Sequence, residues 1–149
     1  MLYFEDFPPG DVRESPVRTV TRDEILTFAR QFDPQPFHLD EEAARRSPYG
    51  GLIASGWHTA AVCMRLVVES ALPGESGSLG SPGVDELRWL KPVRPGDTLT
   101  VEIEVVEVTP SKSKPDRGLV RLRYTVHNQN GEEVMSLLAM GIMRKRPET

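Results

Sequence analysis

Residues 54–72 carry a helical pattern with almost no polar side, and any fold this chain adopts must bury that helix. Ile53, Ala54, Trp57, Ala60, Ala61, Met64, Val67, Val68, Ala71 and Leu72 recur on one face at the 3.6-residue period. Val62, Cys63 and Leu66 extend the apolar surface to the flanks, and only His58, Thr59, Arg65, Glu69 and Ser70 interrupt it. A helix apolar on this much of its circumference belongs inside a core. Pro73 and Gly74 mark its end.

The elements before it are also helical. Thr21 followed by Glu24 matches a capping box, and Ile25, Leu26, Phe28, Ala29 and Phe32 form the apolar face of a helix behind it. That helix stops near Phe32, because Asp33 precedes Pro34 and a residue before proline avoids the helical region. A short helix follows with Asp40 as its N-cap, and residues 47–51 have turn chemistry. Upstream, residues 1–16 read as an irregular lead-in and 17–20 as a short strand.

The second half reads as β. After a Gly/Ser-rich loop over 74–83, residues 86–91 form a strand and 92–97 a turn. Residues 98–108 and 119–127 then alternate apolar and polar, with Val120, Leu122, Tyr124 and Val126 on one side of the latter. Asn130-Gly131 signals a hairpin. Residues 134–143 are apolar on both faces, as a central strand would be. The pattern predicts an α+β fold in which a curved antiparallel sheet wraps around the long helix. With 149 residues, one domain spanning 1–149 is expected.

Charge and cysteine content exclude several functions. Lys and Arg total 18 against 22 Asp and Glu, for a net charge of −4. The pI near 5.4 lacks the basic excess of a nucleic-acid binder. The basic stretches 112–117 and 144–146 are too short to track a groove. The single cysteine, Cys63, forbids an internal disulfide and argues against a cysteine-based zinc or iron–sulfur site. No apolar run reaches the ~20 residues of a membrane span, and the N-terminus lacks a signal-peptide pattern. The expected compartment is a reducing cytoplasm.

Candidate chemistry begins with the 3 histidines. His127 falls on the polar side of a strand and reads as a surface residue; His58 reads as a hydrogen-bonded residue near a helix N-terminus. Their spacing matches no zinc-enzyme pattern, so no metal site is expected. His38 shares a proline-stiffened, non-helical segment, 33–38, with Asp33. A carboxylate at a helix C-terminus is electrostatically unfavourable and calls for a reason. Two readings stand at this point. Both residues belong to a plain loop, or together they hold and deprotonate a water.

Residues 51–58 lead into the apolar helix, whose first N–H groups have no partner within it. Gly56 would let a ligand oxygen approach those donors, a carbonyl-polarising arrangement; equally, it would let helix and sheet pack closely.

The stretch FDPQPFHLDEEAARRSPYGGLIASGWHTAA resembles the hydratase signature of the MaoC-like acyl dehydratases, the (R)-specific enoyl-CoA hydratase branch of the hot-dog fold. That signature has an Asp-x-x-x-x-His element, and about eighteen residues later a His-Gly or Ser-Gly pair opens the central helix. Here these are Asp33, His38 and Ser55-Gly56. The lead-in Tyr3-Phe4-Glu5-Asp6-Phe7 and the segment Lys91-Pro92-Val93-Arg94-Pro95-Gly96-Asp97 are also similar to the family. The resemblance implies a hot-dog fold and hydration of a trans-2-enoyl thioester of CoA or acyl carrier protein, with no cofactor. It implies Asp33, His38 and Gly56 as catalytic groups, and Ser55, Trp57 and Gln35 as substrate-binding ones. It further implies a homodimer or higher homo-oligomer with sites at the subunit interface. Two positions depart from the pattern: Gln35 stands where many hydratases have Asn, and Met64 where some have Ser. A hot-dog thioesterase and a non-catalytic acyl-thioester-binding subunit are the alternatives, and the presence of both Asp33 and His38 favours the hydratase.

Overall fold

Alternation of apolar and polar residues builds one antiparallel sheet. The computed structural model describes residues 1–72 and 74–149, so Pro73, read above as part of a helix end, lies outside the described residues. The strands are β1 (Val12–Glu14), β2 (Arg18–Thr19), β3 (Gly83–Trp89), β4 (Thr98–Pro110), β5 (Arg117–His127) and β6 (Glu133–Arg144). Their order is β1-β4-β5-β6-β3, with β2 also paired to β4. In β5 the buried Val120, Leu122, Tyr124 and Val126 alternate with partly covered residues, as their sequence pattern requires. They sit opposite Gly141, Ala139, Leu137 and Met135 of β6. Leu138 is buried from the other face of β6, Val134 joins the core at the register shift near its start, and the strand lies inside the sheet between β5 and β3. His127, expected on the surface, is partly covered at the end of β5.

The lead-in is more ordered than its sequence suggested. Phe4–Asp6 form a 3-10 turn and β1 pairs with residues 102–104 of β4, while the strand expected over 17–20 shrinks to β2. Ser15 joins the two short strands to β4: its N–H donates to Val101 O at 2.9 Å, and its hydroxyl accepts from the Val101 N–H at 2.8 Å. Strands of two or three residues are too short to display a period.

Four helices precede β3. Thr21 accepts the Glu24 N–H at the start of α1 (Arg22–Phe32), which buries Ile25, Leu26 and Ala29. Residues 36–39, expected outside any helix, form the single turn α2 (Pro36–Leu39); proline is at home in the first turn, where no N–H is needed. Asp40 caps α3 (Glu41–Arg46) as expected, accepting from the Glu42 and Ala43 N–H groups. The long helix α4 (Gly56–Ala71) packs on the sheet, chiefly against β4, and also touches β1 and α1. No helix among the described residues is long and apolar enough to cross a membrane.

Which face of α4 is buried corrects the sequence reading. The buried side carries His58, Thr59, Val62, Cys63, Leu66, Val67 and Ala71. Trp57, Met64 and Val68, assigned above to the core stripe, are exposed by 59%, 46% and 39%. Both sides of α4 are apolar, so periodicity alone offers no way to choose between them. Burial pushes the Cys63 thiol up to about 12, which leaves it an inert core group.

Strand β3 begins at Gly83 rather than 86, and it is irregular. Its register with β6 shifts between Asp85 and Arg88, and Glu86 has a left-handed φ of 54°. Val84 pairs with Ala139 and Trp89 with Met135, both on the core-facing side of β6. Residues five apart would otherwise face opposite ways, so the bulge is what turns Trp89 toward the helices.

Replacing Leu66, 1% exposed, with alanine is expected to cost about 2–5 kcal/mol of stability by denaturant melting, while Arg65→Gln one position away changes little. Equal effects at the two positions would mean that the opposite face of α4 is the buried one.

Candidate active site

Asp33 ends α1, and Pro34 allows no further helix. The chain turns directly into α2, which brings His38 back beside Asp33: Nε2 lies 3.3 Å from Asp33 Oδ2. His38 is 4% exposed. Its other ring nitrogen, Nδ1, is 2.8 Å from Ile53 O. A carbonyl only accepts, so Nδ1 carries the hydrogen and Nε2 is left facing the carboxylate. Two bare acceptors at that distance repel. The geometry therefore accommodates either a proton on Nε2 or a water donating to both atoms. The Phe37 ring stands edge-on to the imidazole, with centroids 4.6 Å apart, and fixes its plane.

The carboxylate is tightly held. Ser55 donates its hydroxyl to Asp33 Oδ2 at 2.7 Å, and Gln35 donates its amide to Oδ1 at 2.6 Å. Partial burial works to raise the Asp33 carboxyl, but these two hydrogen bonds and the adjacent His38 outweigh it and hold the group below the usual carboxylate range. Asp33 thus stays ionised at neutral pH. Gln35 turns its longer amide onto Asp33.

Ser55 is fully buried, and its hydroxyl is engaged by Asp33. As the N-cap of α4 it makes no side-chain capping bond, because its hydroxyl goes to Asp33 instead. The Ser55 carbonyl accepts from His58 and Thr59, while the Gly56 and Trp57 N–H groups have no partner among the described residues. An uncapped helix N-terminus with free donors favours a developing negative charge.

A cleft of about 450 Å³ joins these groups. Asp33, Gln35, His38, Gly56, Trp57 and Thr59 all line it, with Phe37, Tyr49, Val93 and Trp89 among its walls. Sequence reasoning missed Trp89. Its indole Nε1 donates to Gly56 O at 2.8 Å, and its ring meets Trp57 edge-on with centroids 5.1 Å apart. A Cβ on Gly56 would fall 2.4 Å from the Trp89 ring. Close packing therefore does require the glycine, while its N–H remains open to the cleft. The Ile53 carbonyl was equally invisible, because a backbone acceptor leaves no mark in a sequence. Met64 lies on the exposed face of α4, away from the cleft lining. Among the described residues no group of three or more His, Cys, Asp and Glu side chains is gathered as a metal would require.

His58 differs from its expected role. It is 7% exposed and stacks on Phe28 with centroids 4.8 Å apart, and its Nδ1 has no hydrogen-bond partner. Burial lowers its basicity, with Glu24 opposing and Arg18 adding to the shift.

A carboxylate and an imidazole thus meet in one cleft, beside the N-terminus of a helix, on a hot-dog fold. The family described as MaoC like domain matches residues 4–128. The crystal structure of the MaoC-like dehydratase from Rhodospirillum rubrum is 50% identical, with a TM-score of 0.92 over 99% of this chain and 100% of that one. A 3-hydroxybutyryl-CoA dehydratase of Methylorubrum extorquens is 34% identical over 115 residues, covering 76% of this chain and 70% of its own length. An (R)-specific enoyl-CoA hydratase of Rhodospirillum rubrum is 32% identical over 112 residues, 74% of each chain. The chain belongs to the MaoC-like dehydratase family.

The neutral form of His58 is favoured in the folded state, so the unfolded chain binds the extra proton first. Stability is then full above the ordinary imidazole range and falls as pH drops below about 6.5. Melting temperatures measured between about pH 7.5 and 5 should show this slope, and His58→Phe should flatten it. An unchanged slope in that variant would place its origin elsewhere.

Proposed function

We propose that this protein hydrates the double bond of a trans-2-enoyl thioester, and dehydrates the 3-hydroxyacyl thioester in the reverse direction. The observation that carries the reading is the 3.3 Å approach of His38 Nε2 to Asp33 Oδ2 in the cleft that also exposes Gly56. The names of the relatives, a 3-hydroxybutyryl-CoA dehydratase and an enoyl-CoA hydratase, support it.

In this reading a water donates to both Asp33 and His38. The thioester carbonyl accepts from the Gly56 N–H, which draws electron density from Cβ and stabilises the enolate as it forms. The water oxygen bonds to Cβ as His38 Nε2 takes one of its protons. The π electrons move to Cα, and the His38 imidazolium returns its Nε2 proton to Cα on the same face, which completes the addition of water and restores the neutral imidazole. Asp33 orients the water and stabilises the transient imidazolium, with Nδ1 fixed on the Ile53 carbonyl throughout. Ser55 and Gln35 act through Asp33 as positioning residues, and Trp89 acts through Gly56. The steps consume no oxidant or reductant, so side chains and backbone suffice. The acyl group arrives on CoA or acyl carrier protein.

The exposed apolar side chains beside the cleft support a homodimer as the assembly in this reading. Trp57, Met64 and Val68 of α4 are exposed, as are Val84, Trp89 and Leu90 at the outer strand β3. Trp57 and Trp89 join the two groups edge-on, and apolar side chains exposed beside the edge of a sheet suit association with a second copy that offers the same surface.

Purified protein should remove the conjugated-thioester absorbance of trans-2-enoyl-CoAs without releasing thiol. Asp33→Asn and His38→Ala should each slow this by about 10²–10⁴-fold while still melting cooperatively. Thiol release would reassign the protein as a thioesterase, binding without turnover would make it a thioester-binding subunit, and loss of cooperative melting would make the pair structural. For the association surface, sedimentation should give the mass of a dimer, and Val68→Arg should shift it toward monomer; a monomeric wild type would end that part of the reading.

A further inference from the structure

Thr59 lines the cleft and has no part in the steps above. It is 3% exposed and stands one turn beyond Gly56 on the buried side of α4. A serine or threonine hydroxyl within a helix commonly bonds back to the preceding turn, as Ser70 does to Leu66 O at 2.8 Å. Thr59 does not: Ser55 O receives the His58 and Thr59 N–H groups, and the Thr59 hydroxyl has no hydrogen-bond partner among the described residues. Nor is its oxygen sealed off. Among the described residues the sealed side-chain atoms without partners are Arg18 Nε, Glu24 Oε2 and His58 Nδ1; Thr59 Oγ1 is not one of them, and Thr59 lines the cleft.

A hydroxyl enclosed by protein and open only toward a ligand space gains its partner when a polar atom enters. Side chains on a helix lean toward its N-terminus, which tilts Thr59 back toward Gly56. Three residues of α4 rise about 4.5 Å, comparable to the span of three to four carbon–carbon bonds of an extended chain. For an acyl chain that runs along α4 from a carbonyl held at Gly56, the fourth carbon comes beside Thr59. Phe37, Ile53, Ala54 and Val93 add apolar walls to the same cleft.

We infer that Thr59 is a specificity-determining residue whose hydroxyl bonds an oxygen on the fourth carbon of the acyl chain, so that short enoyl thioesters bearing such an oxygen are preferred over plain hydrocarbon ones. The inference rests on the hydratase reading above and specifies its substrate class. A site built to hydrogen-bond a substrate hydroxyl discriminates against the analogue that lacks it, because its own polar group is then left unpaired.

The test compares 4-hydroxybut-2-enoyl-CoA with pent-2-enoyl-CoA, in which a methyl group replaces the hydroxyl at nearly the same volume. Wild-type kcat/KM should favour the hydroxylated thioester by roughly 5- to 100-fold. Thr59→Val should erase that ratio while pent-2-enoyl-CoA hydration persists, and Thr59→Ser should keep it. A purely structural role would move both substrates together. If Thr59→Val does not fold, Thr59→Ala set against Thr59→Ser makes the same comparison. A wild type that hydrates both thioesters equally, or a ratio unmoved in Thr59→Val, overturns the assignment and leaves the hydratase reading standing. A wild type that hydrates neither overturns both.

Discussion

Three consecutive residues, Ile53, Ala54 and Ser55, tie together every element of the site. The Ile53 N–H donates to Phe37 O at 3.3 Å, and the Ile53 carbonyl accepts from His38. The Ala54 N–H donates to Val93 O at 2.8 Å, which fixes the segment to the turn before β4. The Ser55 hydroxyl holds Asp33, and the Ser55 carbonyl starts α4. None of the three is more than 6% exposed, so water does not compete for these bonds. Carboxylate, imidazole and helix N-terminus are placed relative to one short extended segment, although they come from three different elements.

The two buried histidines show what that arrangement accomplishes. His38 finds a carbonyl for one ring nitrogen and a carboxylate opposite the other. His58 is buried to a similar degree, yet its Nδ1 meets nothing and it is held chiefly by stacking on Phe28. An unpaired buried polar atom is costly. The polar groups in this interior were therefore not arranged around stability alone.

Much of this was legible in the sequence where a period or a pairing was long enough to show. The cap at Thr21, the alternation in β5 and the two-faced apolar character of β6 each rest on several residues pointing the same way. The spacing of Asp33 and His38 was legible because two prolines left helical periodicity no claim on either residue. The exposed face of α4 was not, since Trp57, Met64 and Val68 are as apolar as the residues that face the sheet. Two-residue β2 and three-residue β1 had no period to display. The partners of the site were hidden for a different reason: the Ile53 carbonyl is backbone, and Trp89 reaches Gly56 only through an irregular strand.

That irregularity has a consequence for how this chain tolerates change in length. The extra residue at Glu86 inverts the facing of everything after it in β3, which is how Trp89 comes to cover Gly56. Deleting one residue there would restore a regular ladder and turn the indole to the opposite side of the sheet. The space over Gly56 would then open, and position 56 would no longer be restricted to glycine on packing grounds. A bulge on one strand and a missing side chain on a helix thirty residues earlier are thus coupled: while the bulge stands, position 56 has no room for a side chain.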